Sequence, residues 1–312
     1  MTSFVGAAGR AVRVVPGFRD RVLAYRPSVT PRLHWTAADF ARAADTKLRR
    51  AERLVAALAS RCDGLDGAGV LDVGCGDGIN CLVLAHHGAA RAVGLDLDLP
   101  MFQRDERGAQ TRRLADLVLE RLDGKRSLGD VLAGGAVRYF RGDATRLSFA
   151  DDSFDVLLSR SAMEHIVPVE RALAEMARVV RPNGLIHHAI DPYFWLRGCH
   201  KRGLVDIPWA HARLSPEEFR RFVIETEGEA VAAKRCARLD TLNQFTLSQW
   251  RAVIEAGPFE VLEWLEEPSA FACALLEEFP DVHDSLSPGV EPRDLVHGRI
   301  EVWLRVKKRS ES

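Results

Sequence analysis

The 312-residue sequence predicts an α/β protein built on a doubly wound parallel sheet, and three observations carry that prediction. Short apolar runs alternate with helical hydrophobic patterns from about residue 66 to about residue 190. The first run leads into three alternately spaced glycines, VLDVGCGDGINCLVLA over residues 70–85. Hydrophobic residues make up 47% of the chain, enough for a large core, while 43 basic and 44 acidic residues leave a net charge of −1.

The elements follow in order. Residues 1–35 are basic, with Arg10, Arg13, Arg19, Arg21, Arg26 and Arg32 against Asp20, and Pro16, Pro27 and Pro31 interrupt them. This composition predicts an arm lying on the surface rather than a core element, with docking on an anionic partner as the alternative. Thr36 and Asp39 stand at capping-box spacing, and Phe40, Ala44, Leu48, Ala51, Val55 and Leu58 then make one helical face. Five strands are predicted at 69–74 (GVLDVG), 91–97 (RAVGLDL), 136–144 (AVRYFRGDA), 154–160 (FDVLLSR) and 184–190 (GLIHHAI). Between the second and third, Leu114, Leu117, Val118 and Leu122 predict a helix over the cleft at the sheet's edge. Between the fourth and fifth, Pro168 opens a helix whose stripe is Leu173, Met176, Ala177 and Val180, and Arg181-Pro182-Asn183-Gly184 ends it. Further helices start at Ser215-Pro216-Glu217 and at the capping box Thr246/Gln249. Residues 259–265 and 299–306 read as two last strands, separated by an insertion with a short helix around 269–279.

Several classes are excluded. The near-neutral charge and pI of about 6.8 lack the field of a general nucleic-acid binder. Cys62, Cys75, Cys81, Cys199, Cys236 and Cys273 contain no C-x-x-C pair, which argues against zinc and against a disulfide scaffold, so no metal site is expected. No apolar run reaches the length of a bilayer span and no secretory signal is visible, so the expected location is the cytoplasm.

The glycines have a chemical reason. A strand that turns tightly into a helix leaves backbone N–H groups and a positive dipole end at the carboxyl edge of the sheet, and glycine lets a ligand touch that backbone. The spacing at Gly74, Gly76 and Gly78 is G-x-G-x-G, with Asp72 two residues before, whereas the dinucleotide fingerprint is G-x-G-x-x-G. An acid at Asp72 suits an ammonium group. Asp96 ends the second strand where a ribose diol could be gripped, and Gly142-Asp143-Ala144 ends the third. With SRSAMEHI at 159–166 and RPNGLI at 181–186, these residues resemble the class I S-adenosylmethionine-dependent methyltransferases, most closely the type 11 small-molecule enzymes, over roughly residues 66–192.

The resemblance implies a Rossmann-like, seven-stranded doubly wound sheet with helices on both faces and an antiparallel last strand pair, within a single domain over 36–312. Residues 66–192 would bind the cofactor, and 193–312 would form the acceptor side and close the sheet. It implies S-adenosyl-L-methionine lying over Gly74, Gly76 and Gly78, with Asp72 at the ammonium and Asp96 on both ribose hydroxyls. Leu97 would pack on adenine, Asp143 and the Ala144 N–H would meet its edge, and the Ser159 carbonyl would face the methionyl ammonium. A nicotinamide oxidoreductase is disfavoured by Asp72 and the glycine spacing, and an inactive cofactor-binding partner subunit stays open.

Acceptor chemistry is read from the same edge. DPYF at 191–194 looks like a nitrogen-methylation box but follows the fifth strand instead of the fourth, and one proline is missing. Methyl transfer needs alignment, exclusion of water and a nearby base. The candidates are His165 first, then Asp191 and His188, with His200 and His211 in the loop beyond. Residues 191–213 combine Tyr193, Phe194, Trp195 and Trp209 with Arg197, Lys201, Arg202 and Arg213, which reads equally as a lid or sugar platform and as a packed crossover. The expected acceptor is a small molecule or glycan methylated on oxygen, with carbon methylation of a lipid or quinone as the rival; neither a nucleic acid nor a membrane span is expected.

Overall fold

The computed structural model describes residues 3–6, 9–25, 35–62 and 64–307. Arg26, Arg32, Pro27 and Pro31 of the expected arm lie outside the described residues. A small hairpin of β1 (Ser3–Val5) and β2 (Ala11–Arg13) precedes α1 (Phe18–Ala24) and the long α2 (Ala37–Ala59). Thr36 and Asp39 form the expected capping box on α2, and its Phe40, Ala44, Leu48, Ala51, Val55 and Leu58 are all buried.

The central sheet contains β3 (Gly69–Val73), β4 (Arg91–Asp96), β5 (Val137–Arg141), β6 (Phe154–Arg160), β7 (Val180–Ile190), β8 (Phe259–Pro268) and β9 (His297–Val306). Its order is β5-β4-β3-β6-β7-β9-β8, with β9 antiparallel to both neighbours and the other pairings parallel. Strand order reverses between β3 and β6. In an open α/β sheet that reversal opens a crevice at the carboxyl ends of those two strands, so the topology alone locates a ligand site there.

The α3 (Ile79–His86), α4 (Glu106–Leu122) and α5 (Leu128–Ala133) helices join α2 on one face, where Leu82, Leu114 and Val118 share a core with Val70, Ala92, Val156 and Leu158. Thus α4, expected over the cleft, lies on the flank of the sheet because its apolar stripe is needed to cover β4 and β5. On the opposite face α6 (Val169–Val179) and α11 (Leu247–Glu255) cover Leu71, Leu157, Ile186 and Ile300. The capping box of Thr246 with Gln249 opens α11.

A third apolar core forms a cap. Its helices are α7 (His200–Gly203), α8 (Ala210–Arg213), α9 (Pro216–Glu227), α10 (Glu229–Leu239), α12 (Ala270–Glu278) and α13 (Pro292–Val296). Phe4, Val12, Phe18 and Val22 are buried in this core with Trp209, Phe222 and Phe279. The described part of the N-terminal segment is therefore not a surface arm. Arg10, Arg13 and Arg21 are exposed and Arg19 is half-buried, while one apolar residue in each short strand and two in α1 face in, and Asp206 anchors the segment by accepting from the N–H groups of Gly17 (3.2 Å) and Arg19 (3.0 Å). Among the described residues no helix is long and apolar enough to cross a membrane.

Candidate functional site

Gly74, Gly76 and Gly78 all hold positive φ, at 74°, 56° and 75°, but for different reasons. A Cβ on Gly74 would meet the Ala162 side chain at 2.2 Å, so that glycine lets the loop after β6 close on the turn. A Cβ on Gly78 would meet the Tyr139 ring at 2.5 Å. A Cβ on Gly76 would meet nothing within 4 Å. Gly76 thus presents bare backbone to open space, which is what a ligand lying on the turn requires.

Asp72 stands beneath this turn and is 1% exposed. One carboxylate oxygen accepts from Asn80 Nδ2 at 3.2 Å, and the other has no partner among the described residues. Burial pushes its pKa up to about 7, against smaller opposing effects of Asn80 and Arg160. A cationic amine would supply the missing partner and restore the charge. Asp96 accepts from the Gly76 N–H (2.8 Å) through one oxygen and from the Asp98 N–H (3.0 Å) through the other, so it braces the turn it was expected to serve. Two backbone donors leave lone pairs on both oxygens for a diol.

The remaining expected cofactor contacts line the same edge. Leu97 is 64% exposed, an unusual state for leucine beside a cleft, and Phe102 and Phe140 are also exposed. Phe102 meets Tyr139 with ring centroids 5.6 Å apart, so apolar faces for a flat base are present. Asp143 is exposed and accepts from the Thr145 N–H (2.8 Å), Ala144 is buried, and Ser159 is wholly buried with its hydroxyl unpartnered among the described residues. These features fit S-adenosylmethionine: an orphaned buried carboxylate for its ammonium, an open cradle at Gly76 and apolar walls for its base.

Beyond β6 the chain makes a tight turn at Met163–His165 that carries the acid–base candidates. Asn243 clamps it by donating through Nδ2 to the Met163 carbonyl at 2.7 Å. Glu164 is turned inward, 1% exposed, with neither carboxylate oxygen partnered among the described residues. Burial, then the nearby Asp191 carboxylate, holds its pKa well above the usual range. His165 stacks on His200 with ring centroids 5.0 Å apart and planes 8° from parallel. Burial, then His200 and Arg238, lowers its pKa to about 4, so the ring is neutral at pH 7. Asp191 follows β7 and pairs with Arg299 at 3.4 Å.

The structure brings His165, Asp191 and His200 to one edge and excludes two other candidates from it. His188 lies within β7, fully buried, paired in register with Ser159 and Val302, and burial lowers its pKa to about 4. Its ring is enclosed within the sheet, and neither nitrogen has a partner among the described residues. His211 is buried in the cap, where Nε2 lies 3.1 Å from the Trp195 carbonyl. Tyr193, Phe194, Trp195 and Trp209 are each at most 8% exposed, so the aromatic segment is a packed crossover and not a lid. Arg213, 1% exposed, is held by Ser285 Oγ (2.6 Å), the Pro208 carbonyl (3.1 Å) and Asp281 (3.0 Å). Glu164 escaped the sequence reading, because its place beside His165 does not reveal that its side chain turns inward. Ligand atoms of Glu164, His165 and His200 lie within 4.8 Å of one another.

Comparison with known proteins identifies the domain. Residues 71–187 match the family model described as a methyltransferase domain, of type 11. The chain is 48% identical over 60 residues to a demethylmenaquinone methyltransferase of Mycolicibacterium paratuberculosis, covering 19% of this chain and 26% of that protein. It is 31% identical over 125 residues to a ubiquinone biosynthesis O-methyltransferase of Rhizobium rhizogenes, covering 40% of this chain and 42% of that protein. The chain thus spans from about a quarter to two fifths of the length of these curated relatives. An S-adenosylmethionine-dependent methyltransferase structure from Mesorhizobium loti aligns with TM-score 0.45 and 17% identity over 80% of this chain and 96% of that one, a loose likeness that carries no weight of its own. The cofactor implied by the matched domain is S-adenosylmethionine.

Proposed function

We propose that this chain, whose residues 71–187 form a class I, type 11 methyltransferase domain, transfers the methyl group of S-adenosylmethionine to an oxygen of a small-molecule acceptor. The observation that carries the reading is the open backbone at Gly76 above an orphaned, buried Asp72, on the sheet edge that also bears His165 and Asp191. Asp72 would take the ammonium, Asp96 the ribose, Leu97 and Asp143 with Ala144 the adenine, and the Ser159 carbonyl the methionyl end. His165, neutral at pH 7, would accept the hydroxyl proton as the oxygen attacks the methyl carbon, with Asp191 the alternative acceptor. The names of the two curated relatives favour a hydroxylated quinone or phenol over a sugar among acceptors. Carbon methylation of such a ring remains the rival, since one of those names specifies no oxygen. Buried thiols at Cys75, Cys81 and Cys199 suit a cytoplasmic location.

Calorimetry with S-adenosylhomocysteine and with NAD tests cofactor choice first, and saturable binding of the former alone is expected. Transfer of labelled methyl to a panel of hydroxylated quinones, phenols and sugars, followed by mass-spectrometric location of the new methyl, tests the acceptor. A methyl on carbon rejects the oxygen assignment, and no transfer to any acceptor favours an inactive partner subunit. His165→Ala should lower kcat by roughly 10²- to 10⁴-fold with cofactor affinity nearly unchanged. In the wild type at saturating cofactor, activity should fall as pH approaches about 4, where His165 takes up its proton. Full activity in the variant would move the role to Asp191.

A further inference from the structure

We infer that Asp72 and Arg160 together bind the zwitterionic amino-acid end of S-adenosylmethionine, Asp72 taking the ammonium and Arg160 the carboxylate. Both roles rest on the cofactor placement proposed above, which left the carboxylate without a partner. Asp72 stands opposite Leu158 in the parallel pairing of β3 with β6. Side chains alternate along a strand, so Arg160, two residues further towards the carboxyl edge, lies on the same face as Leu158 and Asp72. An acid and a base therefore share one face of adjacent strands where the strand order reverses.

Neither satisfies the other. Asp72 keeps one oxygen without a partner, and half-buried Arg160 makes no hydrogen bond or ion pair among the described residues. The buried Arg213 and Arg235 are by contrast each held by carbonyls and a carboxylate.

The charged groups that face Arg160 do not supply its partner. Burial, then the like charge of Arg299, acts against its positive charge, and Arg50 adds to that; Glu301 and Asp72 act in its favour without pairing. Glu301 instead lies 4.0 Å from Arg299, which also holds Asp191 at 3.4 Å. A guanidinium drawn partly out of water with no acceptor is unfavourable, and a carboxylate answers it through two parallel hydrogen bonds. An α-amino acid carries both its charges on one carbon, so a single ligand end can complete an acid and a base that stand apart.

The test is calorimetry on the full chain with S-adenosylhomocysteine, its decarboxylated analogue and its deaminated analogue. Arg160→Met should weaken the two ligands that keep the carboxylate by roughly 10- to 100-fold and leave the decarboxylated analogue unaffected. Asp72→Asn should do the converse, weakening the two ligands that keep the amine and sparing the deaminated analogue. Arg160→Lys retains the charge and loses the planar fork, so it should fall between, and it decides the matter in the same way if Arg160→Met does not fold. Equal affinity of wild type and variant for S-adenosylhomocysteine overturns the assignment, and with a raised acceptor KM it moves Arg160 to the acceptor side. An equal loss for all three ligands overturns it too, since a merely distorted pocket does not read the carboxylate. Absence of saturable S-adenosylhomocysteine binding in the wild type defeats the cofactor reading itself, whereas binding that ignores Arg160 defeats this site alone.

Discussion

Asp72 and Arg213 are both ionisable side chains with 1% of their surface exposed, and they are held in opposite ways. Arg213, in the cap, meets a hydroxyl, a backbone carbonyl and a carboxylate. Arg235 nearby is similarly held by the carbonyls of Arg202 and Leu204 and by Glu227 Oε2. Asp72, on the cofactor edge, has one amide donor and an oxygen with no partner among the described residues. A buried polar group whose partners come from its own chain holds structure together, while one left short at a sheet edge awaits a partner from elsewhere. The cap and the glycine edge therefore differ in kind: one fixes the loops, and the other is the proposed seat of the cofactor.

That division can be broken from either side. The largest effect is expected from Gly76→Val, which fills the open cradle and should abolish S-adenosylhomocysteine binding. Left-handed backbone costs a non-glycine residue only about 1–2 kcal/mol, so the protein should stay folded, and calorimetry beside a thermal melt checks both halves of the statement. Tight binding by folded Gly76→Val would refute the cradle. Trp209→Ala attacks the cap: this side chain is 1% exposed and donates to the Leu295 carbonyl at 3.1 Å. A loss of roughly 3–5 kcal/mol in denaturant unfolding is expected, with cofactor affinity of the folded fraction little altered. A large drop in affinity would mean that the two regions are not separate.

Asp96→Ala sharpens the comparison, because Asp96 braces the Gly76 and Asp98 N–H groups and is the proposed partner of the ribose. A charge-assisted hydrogen bond is worth about 1.5–3 kcal/mol, so affinity should fall roughly ten- to hundredfold, and unchanged binding would remove Asp96 from the site. A further test is the pH dependence of Asp72. Its folded pKa of about 7 lies above the ordinary 3.8, so the folded chain binds the extra proton. Stability of the ligand-free protein should therefore be greatest at low pH with respect to this group and decline as pH rises from about 4 to about 7. Cofactor affinity should run the other way, rising towards pH 7 as the carboxylate forms. Asp72→Asn should flatten both profiles, and melts and titrations across that range would detect it.

What the sequence determined by itself is whatever a few neighbouring residues encode. The capping boxes of Thr36 and Thr246, the apolar stripes of α2 and α6, the succession of strands and the glycine turn after β3 rest on periodicity and backbone preference within one or two turns of chain. The proposed cofactor edge could be read for that reason, since Asp72, Gly74, Gly76 and Gly78 lie within seven residues. What only the tertiary structure decided is which distant groups meet and which polar atoms find partners. His165 stacks on His200 from 35 positions away, Glu164 turns inward instead of outward, and Phe4, Val12 and Phe18 of a basic segment close a core with Trp209. The aromatic run at 191–213 has the same composition as a lid and as a packed crossover. Whether its rings cover a ligand or one another depends on the surfaces that α9, α12 and the N-terminal hairpin bring to them, and residue type does not specify those surfaces.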